Sequence, residues 1–379
     1  MRVLYLTPGC FDKGGISRYS RYQIRALREL FGEHSVTVLS LLGPTGESFE
    51  DPFAVDWHGS GANQASKVGL VTRTLAFAAA RKPQLVHSAH VNFSALAYSA
   101  ARMVEATACV NVYGLEVWSG LSGDAEWGLR HSDLVVADCH FTANYLLEAR
   151  LRCVAPTVVW DCVDLGRFSP GPPSPAVLQR YGIPDPRSGW NLLTLGRMSS
   201  DADHKGYTRL YEAFRRIAPD NPRIRVVFAG RGQLAETLRE RARRDGLGSQ
   251  VCFTGMVHDD DLADVYRAAH AFSLVSDRGI DRGEGIPLTP LEAAACGLPL
   301  IVGDHDGSQE AVVHGINGFV IDPFDLDAHS QRILELANAP DLRARMAREA
   351  RKRIEDEFDY VTFREKHRRL LERWFPEPV

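Results

Sequence analysis

Two glutamates separated by seven residues, Glu284 and Glu292, bracket a segment that is suited to holding an anion. Thr289, Pro290 and Glu292 fit the N-cap, N1 and N3 positions of a helix, with proline where its missing N–H costs nothing. A helix N-terminus carries partial positive charge and free N–H groups, which bind phosphates. Gly285 would let the backbone approach such a ligand closely. The segment predicts an anion site beside two carboxylates, although a plain helix cap with a solvated Glu284 explains the two glutamates equally well.

The elements that must position this segment are short apolar strands that alternate with amphipathic helices, a pattern typical of parallel sheets with crossover helices. In the first half a helix is expected over Ile16–Phe31, whose apolar residues share one face. The strands expected there are Val3–Thr7, Val36–Leu41, Leu85–Ser88, Ala108–Val112, Leu134–Ala137 and Thr157–Trp160. Six prolines between Gly166 and Gly189 then interrupt the alternation. This interruption predicts an interdomain connection over residues 166–189.

The alternation resumes in the second half, which predicts a second Rossmann-like domain over residues 190–355 after a first one over residues 1–165. The strands expected there are Asn191–Leu195, Arg225–Ala229, Val251–Thr254, Ala271–Val275 and Leu300–Val302. Helices are expected near Gly206–Ala218, Leu234–Asp245, Asp260–Ala269 and Pro290–Ala295. Residues 356–379 are expected to form a charged helical tail. Ligands of such doubly wound sheets bind at the carboxyl ends of the strands.

Composition excludes several classes of protein. A chain of 379 residues with 45% hydrophobic and 24% charged residues is typical of a two-domain globular protein. The net charge is −4 and the sequence contains no long basic block, so a nucleic acid is not expected as a partner. The seven cysteines are scattered without a Cys-x-x-Cys pair, which indicates reduced thiols rather than a zinc site. With no signal-like segment and no run of ~20 apolar residues, a cytoplasmic location is expected.

The segment from Glu284 to Glu292, followed by Ala-Ala-Ala-Cys-Gly-Leu-Pro, resembles the Glu-x7-Glu signature of retaining glycosyltransferase family 4, whose fold is GT-B. Further segments resemble motifs of that family in the same order: Gly14-Gly15, Asp161-Cys-Val-Asp-Leu-Gly-Arg-Phe-Ser-Pro170, Gly196-Arg197 with Lys205-Gly206, and Gly307-Ser-Gln-Glu310 with Asn317-Gly318. The resemblance covers nearly the whole chain. It implies two Rossmann-like domains facing each other across a cleft, with acceptor binding in residues 1–165, nucleotide-sugar binding in residues 190–355, and the tail packed across both.

The resemblance also implies a role for each matched residue. Arg197 and Lys205 would bind the donor diphosphate and stabilise it as it leaves, because the leaving group gains negative charge in the transition state. Glu284 would hold sugar hydroxyls and Glu292 ribose hydroxyls, since one carboxylate accepts from two hydroxyls. Further donor contacts are implied for Gly14, Gly15, Gly285, Ile286, Pro287, Leu288, Met256 and Val257, of which Pro287 has no N–H to offer.

Plainer explanations exist for four of the candidate residues or pairs. Arg197 and Lys205 could form a surface pair in a loop, and Gly14-Gly15 could simply make the turn into the first helix. Where many relatives have a histidine, this chain has Tyr113, two residues before Leu115-Glu116. Tyr113 does not titrate near neutrality, so it either supports the sugar, together with Glu116, or packs in the core. His90 could meet an acceptor hydroxyl or be a satisfied crevice residue.

The implied enzyme is a metal-independent hexosyltransferase that uses a nucleoside-diphosphate sugar, with a UDP-sugar favoured, and needs no cofactor. Its hydroxyl acceptor could be a glycan, a lipid-linked molecule or a small molecule, and peripheral membrane contact is possible. Asp201-Ala-Asp203 looks like a metal motif of another glycosyltransferase fold, but it lies between the two cations. Gly230-Arg-Gly232-Gln-Leu-Ala235 matches the dinucleotide fingerprint, which keeps an NAD-dependent oxidoreductase as an alternative. A non-catalytic sugar-nucleotide-binding partner subunit is the other alternative, because Tyr113 departs from the family pattern.

Overall fold

The computed structural model describes residues 1–12, 14–44, 54–279 and 282–375. The chain forms two compact units. The first contains Met1–Cys162 and Tyr360–Val379, and the second contains Val163–Asp359. Each unit is built around one parallel sheet with helices on both faces, as the alternating pattern predicts.

The sheet of the first unit has seven parallel strands in the order β3-β2-β1-β4-β5-β6-β7. These strands are β1 (Val3–Thr7), β2 (Val36–Ser40), β3 (Trp57–His58), β4 (Leu85–Ser88), β5 (Thr107–Val112), β6 (Leu134–Ala137) and β7 (Thr157–Val158). Every residue of β1 and β4 is buried, because helices cover both faces of a parallel sheet. The strand order reverses between β1 and β4, and this reversal leaves a crevice at their carboxyl ends.

Six helices connect these strands. They are α1 (Gly15–Phe31), α2 (Gln64–Arg81), α3 (Ser94–Met103), α4 (Leu115–Trp118), α5 (Gly123–His131) and α6 (His140–Glu148). Helix α1 lies where the apolar periodicity predicts it, and it buries Tyr19, Ile24 and Leu27. Gly14 is its N-cap, with no side-chain cap. The strand β3 and the helices α2 to α6 are elements that the sequence pattern did not identify.

The sheet of the second unit has six parallel strands in the order β10-β9-β8-β11-β12-β13. These strands are β8 (Trp190–Leu195), β9 (Ile224–Ala229), β10 (Val251–Gly255), β11 (Ala271–Leu274), β12 (Leu300–Gly303) and β13 (Gly318–Ile321). The order reverses between β8 and β11. The loops that follow these central strands therefore carry the candidate site.

The helices of the second unit are α7 (Pro175–Tyr181), α8 (Tyr207–Ile217), α9 (Gln233–Arg244), α10 (Leu262–Arg267), α11 (Leu288–Ala295), α12 (Leu326–Asn338) and α13 (Pro340–Glu357). Helix α7 lies inside the proline-rich segment 166–189, so this segment contains a helix that belongs to the second unit. Helix α8 buries Leu210, Tyr211 and Phe214 in the core of this unit.

The last helix, α14 (Tyr360–Glu372), belongs to the first unit. Its Phe363, Leu370 and Leu371 join the apolar core that also holds residues of α1 and β1. The buried side chain of His367 lies 2.8 Å from the Nε2 atom of Gln23 on α1. The chain end therefore completes the core of the first unit.

Candidate functional site

A cavity of about 280 Å³ opens at the carboxyl ends of β8, β9 and β10 in the second unit. Its lining residues are Leu195, Gly196, Arg197, Ala229, Gly230, Arg231, Met256, Val257, Asp259 and Leu262. The volume is close to the ~300 Å³ lower bound of small-molecule pockets. The cavity brings Arg197 together with Met256 and Val257, three residues that sequence analysis assigned to the donor.

Glycines allow the loops that line this cavity to touch. A Cβ atom at Gly230 would lie 1.9 Å from the carbonyl oxygen of Gly196, and one at Gly232 would lie 2.2 Å from that of Met198. Both Gly230 and Gly232 have positive φ angles, 138° and 149°, which side-chain-bearing residues rarely adopt. The Gly-x-Gly pattern is therefore required by the contact between the loops after β8 and β9. A dinucleotide is not needed to explain it.

Arg197 lies at the mouth of the cavity. Its guanidinium is 3.2 Å from the carboxylate of Asp201, and its side chain is 66% exposed. An exposed ion pair of this kind contributes little to stability and exchanges readily. The guanidinium is thus positioned to bind an anionic ligand in the cavity.

Lys205 and Glu284 form the closest charged contact of the site, with 2.6 Å between Nζ and Oε1. His204 lies on the same carboxylate oxygen, with its Nε2 at 3.2 Å. Burial raises the pKa of Glu284, but the charge of Lys205 and the hydrogen bonds from His204 and Lys205 outweigh it and hold the pKa at about 2. Glu284 is therefore an ionised acceptor at neutral pH.

Gly196 joins this pair to the cavity. It lines the cavity, and a Cβ atom built on it would lie 3.9 Å from Cδ of Lys205 and 2.5 Å from the hydroxyl of Tyr207. That hydroxyl is buried and, among the described residues, has no hydrogen-bond partner. Burial and the charge of Glu284 raise the pKa of Tyr207, and the charge of Arg197 lowers it. The Tyr207 hydroxyl therefore lies near both charged groups. The Lys205–Glu284 pair and Arg197 therefore lie close to the same part of the second unit, around Gly196.

Asp306 holds the backbone of Glu284. The Glu284 N–H donates to Oδ2 of Asp306 at 3.3 Å, and the Gly307 N–H donates to the Glu284 carbonyl at 3.3 Å. Asp306 also accepts from the N–H and the hydroxyl of Ser308, at 3.0 and 2.5 Å. Burial raises the pKa of Asp306 to about 6. Asp306 thus ties the loop of Glu284 to the segment after β12.

The prediction of a capping box at Thr289, Pro290 and Glu292 is wrong. Helix α11 begins at Leu288 with Pro287 at its N-cap, and no side chain caps it. The extended φ and ψ of Pro287, −71° and 142°, suit an N-cap, and Pro290 still falls in the first turn, where its missing N–H costs nothing. Glu292 lies beyond the first turn. Its buried carboxylate accepts a hydrogen bond of 2.8 Å from the hydroxyl of Tyr266.

The other predicted donor contacts surround this helix start. Gly285 lies directly after Glu284, Ile286 and Pro287 are buried, and Leu288 is the first helical residue. The first N–H groups of a helix have no intrahelical acceptor, so they are available to an anion. The structure therefore brings Gly285, Ile286, Pro287 and Leu288 into one continuous turn between Glu284 and α11.

Sequence reasoning missed His204, Tyr207, Tyr266 and Asp306. His204 carried the best signal, since it directly precedes Lys205. Tyr266 and Asp306 lie 26 and 22 residues from the groups that they contact, so only the fold reveals these pairs.

Tyr113 packs in the first unit. Its hydroxyl accepts from Nδ2 of Asn111 at 3.1 Å, and its ring meets Tyr19 edge-on with 5.3 Å between centroids. Its N–H donates to Oε1 of Glu116 at 2.5 Å, and burial raises the pKa of Glu116. These contacts support the packing interpretation of Tyr113. The hydrogen bond from the Tyr113 N–H also lets Glu116 stabilise the turn through Gly114.

His90 and Gly14-Gly15 lie after β4 and β1, which flank the point where the strand order reverses. Burial lowers the pKa of His90 to about 4, so its ring is neutral at pH 7. Its Nδ1 accepts from the Asn92 N–H at 3.2 Å, which leaves the hydrogen on Nε2 as a donor. The Gly14 N–H donates to Oδ1 of Asp12, two residues earlier, at 2.7 Å. This placement agrees with the simple turn explanation of the glycine pair.

The aspartates of Asp201-Ala-Asp203 have partners within the protein. Asp201 contacts Arg197, and Oδ1 of Asp203 accepts from the Thr208 hydroxyl at 2.8 Å. Within the described residues, no three His, Cys, Asp or Glu side chains form a group that could hold a metal ion.

Residues 189–353 match the family model described as "Glycosyl transferases group 1". The matched region lies in the second unit and includes Arg197, Lys205, Glu284 and Glu292. The match therefore falls on the unit that holds the cavity.

Three curated relatives match parts of the chain. Mannosylfructose-phosphate synthase of Agrobacterium fabrum is 36% identical over 157 residues, 39% of this chain and 32% of that protein. A GDP-mannose-dependent alpha-(1-6)-phosphatidylinositol monomannoside mannosyltransferase of Mycolicibacterium smegmatis is 30% identical over 188 residues, 48% of this chain and 47% of that protein. Glycogen synthase of Mycobacterium tuberculosis is 30% identical over 238 residues, 62% of this chain and 53% of that protein. The chain thus spans about a third to a half of the length of these relatives.

Solved structures resemble the chain over nearly its whole length. HepE from Anabaena in complex with UDP superposes with a TM-score of 0.79 at 17% identity, covering 98% of this chain and 100% of that one. Sucrose-phosphate synthase from Thermosynechococcus elongatus superposes with a TM-score of 0.78 at 18% identity, covering 99% and 100%. The predicted fold class, α/β of the GT-B type with two Rossmann-like domains, is confirmed.

Proposed function

We propose that this GT-B chain is a retaining glycosyltransferase that moves a sugar from a nucleoside-diphosphate sugar to a hydroxyl acceptor. The observation that carries the proposal is the position of Gly196. It lines the cavity together with Arg197, and it lies against Lys205, whose ammonium is 2.6 Å from Glu284. One cation at the cavity, with a second cation and an ionised carboxylate on the other side of Gly196, suits a ligand with a diphosphate next to a polyhydroxylated ring.

Arg197 and Lys205 bind the diphosphate and stabilise it as it leaves. The bond from the anomeric carbon to the phosphate oxygen breaks, and the electron pair goes to that oxygen, so the negative charge near the two cations grows. Fixed cations at that place lower the barrier more than they strengthen ground-state binding. Each charge-assisted hydrogen bond of this kind contributes about 1.5–3 kcal/mol.

Glu284 accepts hydrogen bonds from sugar hydroxyls, and Glu292 accepts from the ribose. The low pKa of Glu284 supports this role, because an ionised carboxylate is an acceptor only and can orient two hydroxyls. Glu292 accepts from Tyr266, and a carboxylate can accept several hydrogen bonds at once. Gly285, Ile286, Pro287 and Leu288 bring the backbone of the α11 turn to the phosphates.

Retention and metal independence are parts of the same proposal. Tyr113 is an unsuitable base because burial raises its pKa well above the ordinary value. The departing phosphate oxygen takes the proton of the acceptor hydroxyl, and the new bond forms on the face that the phosphate leaves. Arg197 and Lys205 supply the positive charge that a divalent ion would otherwise supply.

The acceptor contacts are proposed in the first unit. His90 presents Nε2–H as a donor to the acceptor hydroxyl, and Gly14-Gly15 lets the loop after β1 approach a phosphate. The UDP complex of HepE favours a UDP-sugar as donor. The GDP-mannose-dependent relative makes guanosine donors the comparison to test.

We further propose a cytoplasmic location. The seven cysteines are free thiols, which suits a reducing compartment. Within the described residues, no helix is both long and apolar enough to cross a bilayer.

The test is donor turnover by the purified chain. UDP-glucose and GDP-mannose are each supplied with simple sugar and lipid-extract acceptors, and release of the nucleoside diphosphate is followed with and without EDTA. We expect release that EDTA leaves unchanged and a product whose anomeric configuration, read by NMR, equals that of the donor. Inversion of configuration would contradict the retaining mechanism, and a donor that binds without any turnover would favour the non-catalytic subunit.

A further inference from the structure

The outward face of α2 carries large aliphatic side chains in solvent. Val68 is 52% exposed, Val71 43% and Leu75 37%. With the exposed Ala76 and Ala79, they follow a spacing of i, i+3, i+7, i+8 and i+11, which places them on one side of a helix. An unbroken apolar stripe on the solvent side of a helix marks an interaction surface rather than a folding requirement.

The inward face of the same helix is more polar. Its buried residues are Ser66, Leu70, Thr74 and Ala78, at successive steps of four. Both buried hydroxyl groups have local partners: the Ser66 hydroxyl accepts from the Ser60 N–H at 3.1 Å, and the Thr74 hydroxyl donates to the Leu70 carbonyl at 2.7 Å. Helix α2 thus reverses the usual arrangement, because most of its valine and leucine side chains face solvent rather than the core.

Basic residues border the stripe. On a helix that turns about 100° per residue, Lys67 lies at about −100° and Arg73 at about 140° from Val68, so the two residues are on opposite sides of the stripe. The exposed Arg81 and Lys82 follow at the end of the helix. The sequence from residue 57 to residue 104 contains no aspartate or glutamate, whereas the whole chain has a net charge of −4. In the part of the chain that the structure describes, Lys67, Arg73 and Lys82 form no ion pair. We call the stripe with Lys67 and Arg73 the α2 face.

We propose that the α2 face docks on an anionic lipid surface. The aliphatic side chains would enter the boundary between headgroups and acyl chains, and the flanking lysine and arginine would lie among the phosphates. A second copy of the chain fits less well, because a two-fold contact through this face would bring the same basic groups together without a carboxylate between them. The surface lies outside the cavity, so this inference does not depend on the proposed function.

The test is co-sedimentation of the full chain with vesicles. One set is made of phosphatidylcholine and phosphatidylglycerol in equal amounts, and the other of phosphatidylcholine alone. We expect the chain to sediment with the anionic vesicles only, and the bound fraction to fall as salt rises because surface charge is screened. K67E/R73E and, separately, V68Q/V71Q/L75Q should each lower the partition coefficient at least about tenfold.

Two variants serve as matched controls. R243E/R244E changes the net charge by the same amount on exposed residues of α9, and V313Q/I316Q removes exposed aliphatic groups from the second unit. Both should bind vesicles like the native chain, and the melting temperatures of all variants show whether they fold. Equal losses in the controls, or no binding of the native chain to anionic vesicles, would overturn the proposal. A dimer in sedimentation velocity that V68Q/V71Q/L75Q abolishes would instead assign the face to a second copy.

Discussion

Glu284 keeps its negative charge in a partly buried place because two basic groups contact one of its oxygens. Lys205 is at 2.6 Å and His204 at 3.2 Å, and together they outweigh the effect of burial on its pKa. A carboxylate held in this way is rigid and already ionised. It can therefore orient hydroxyl groups without first losing a proton.

Replacing Glu284 with glutamine should reduce turnover at least about tenfold, because a neutral amide oxygen is the weaker acceptor and Lys205 loses its partner. Steady-state rates with a saturating donor measure this effect. Glu240→Gln, an exposed position on α9, is the matched control and should behave like the native chain. Unchanged turnover in Glu284→Gln would remove Glu284 from the mechanism.

Replacing Tyr113 with phenylalanine distinguishes packing from chemistry. Its hydroxyl accepts from Asn111 in the interior of the first unit, so we expect a loss of about 1 kcal/mol in the free energy of unfolding. Turnover should stay close to that of the native chain. A loss of turnover with unchanged stability would show that the hydroxyl acts on a substrate.

The loop before α8 positions Lys205 through one glycine. Gly206 has a φ of 85°, and a Cβ atom there would lie 2.2 Å from the carbonyl oxygen of Val275, directly after β11. Because this contact is with backbone, a side chain cannot be accommodated without moving the loop.

Gly206→Ala should therefore lower the free energy of unfolding by at least about 2 kcal/mol and reduce turnover, since Lys205 moves with the loop. Chemical denaturation and steady-state rates measure the two effects. Gly248→Ala is the control, because a Cβ atom there would meet nothing within 4 Å. Equal stability of the two variants would mean that the loop does not hold Lys205 by this contact.

The sequence predicts the elements of the second unit well where they are long and regular. Strands β8 to β12 and helices α8 and α9 lie within one or two residues of their predicted bounds. Strand β13 was missed because it has only four residues, Gly318–Ile321, and its first residue is the glycine of an Asn-Gly pair that is typical of a turn. Helix α2 was missed because its apolar residues are divided between two faces, which weakens the helical periodicity.

The candidate site could be predicted only in part. The matched motifs identified Arg197, Lys205 and Glu284, but no spacing rule joins Glu284 to Lys205, which lies 79 positions earlier in the chain. The start of α11 was misplaced because Thr289-Pro290 is the stronger cap signal in sequence. In the fold, the turn that begins at Gly285 places Pro287 at the N-cap of α11.

The first unit contains a buried polar network that ties the chain end to its sheet. The Tyr5 hydroxyl and Asn111 Nδ2 donate to Oε1 of Gln23, at 2.7 and 2.6 Å. Nε2 of His87 lies 2.9 Å from Asn111 Oδ1, and His367 on α14 lies 2.8 Å from Gln23. Burial lowers the pKa of His87 to about 3 and that of His367 to about 4, so both rings are neutral in the folded chain.

This network predicts a loss of stability in mild acid. Between pH 7 and pH 5 the unfolded chain takes up a proton at each histidine, whose ordinary pKa is ~6.5, whereas the folded chain does not. The free energy of unfolding therefore falls as the pH is lowered, by about 2 kcal/mol at pH 5 for each of these two histidines. Melting temperatures at the two pH values should differ less in His367→Gln than in the native chain. Equal differences would mean that His367 is protonated in the folded state.

The central claim is that the second unit binds a nucleoside-diphosphate sugar against Arg197 and Lys205. The most direct measurement is the melting temperature of the chain with UDP-glucose, GDP-mannose or NAD, because a ligand that binds only the folded state raises it by mass action. At least one sugar nucleotide should raise the melting temperature with concentration, and Arg197→Ala combined with Lys205→Ala should remove the rise. A rise with NAD alone, or no rise with any sugar nucleotide, would contradict the claim.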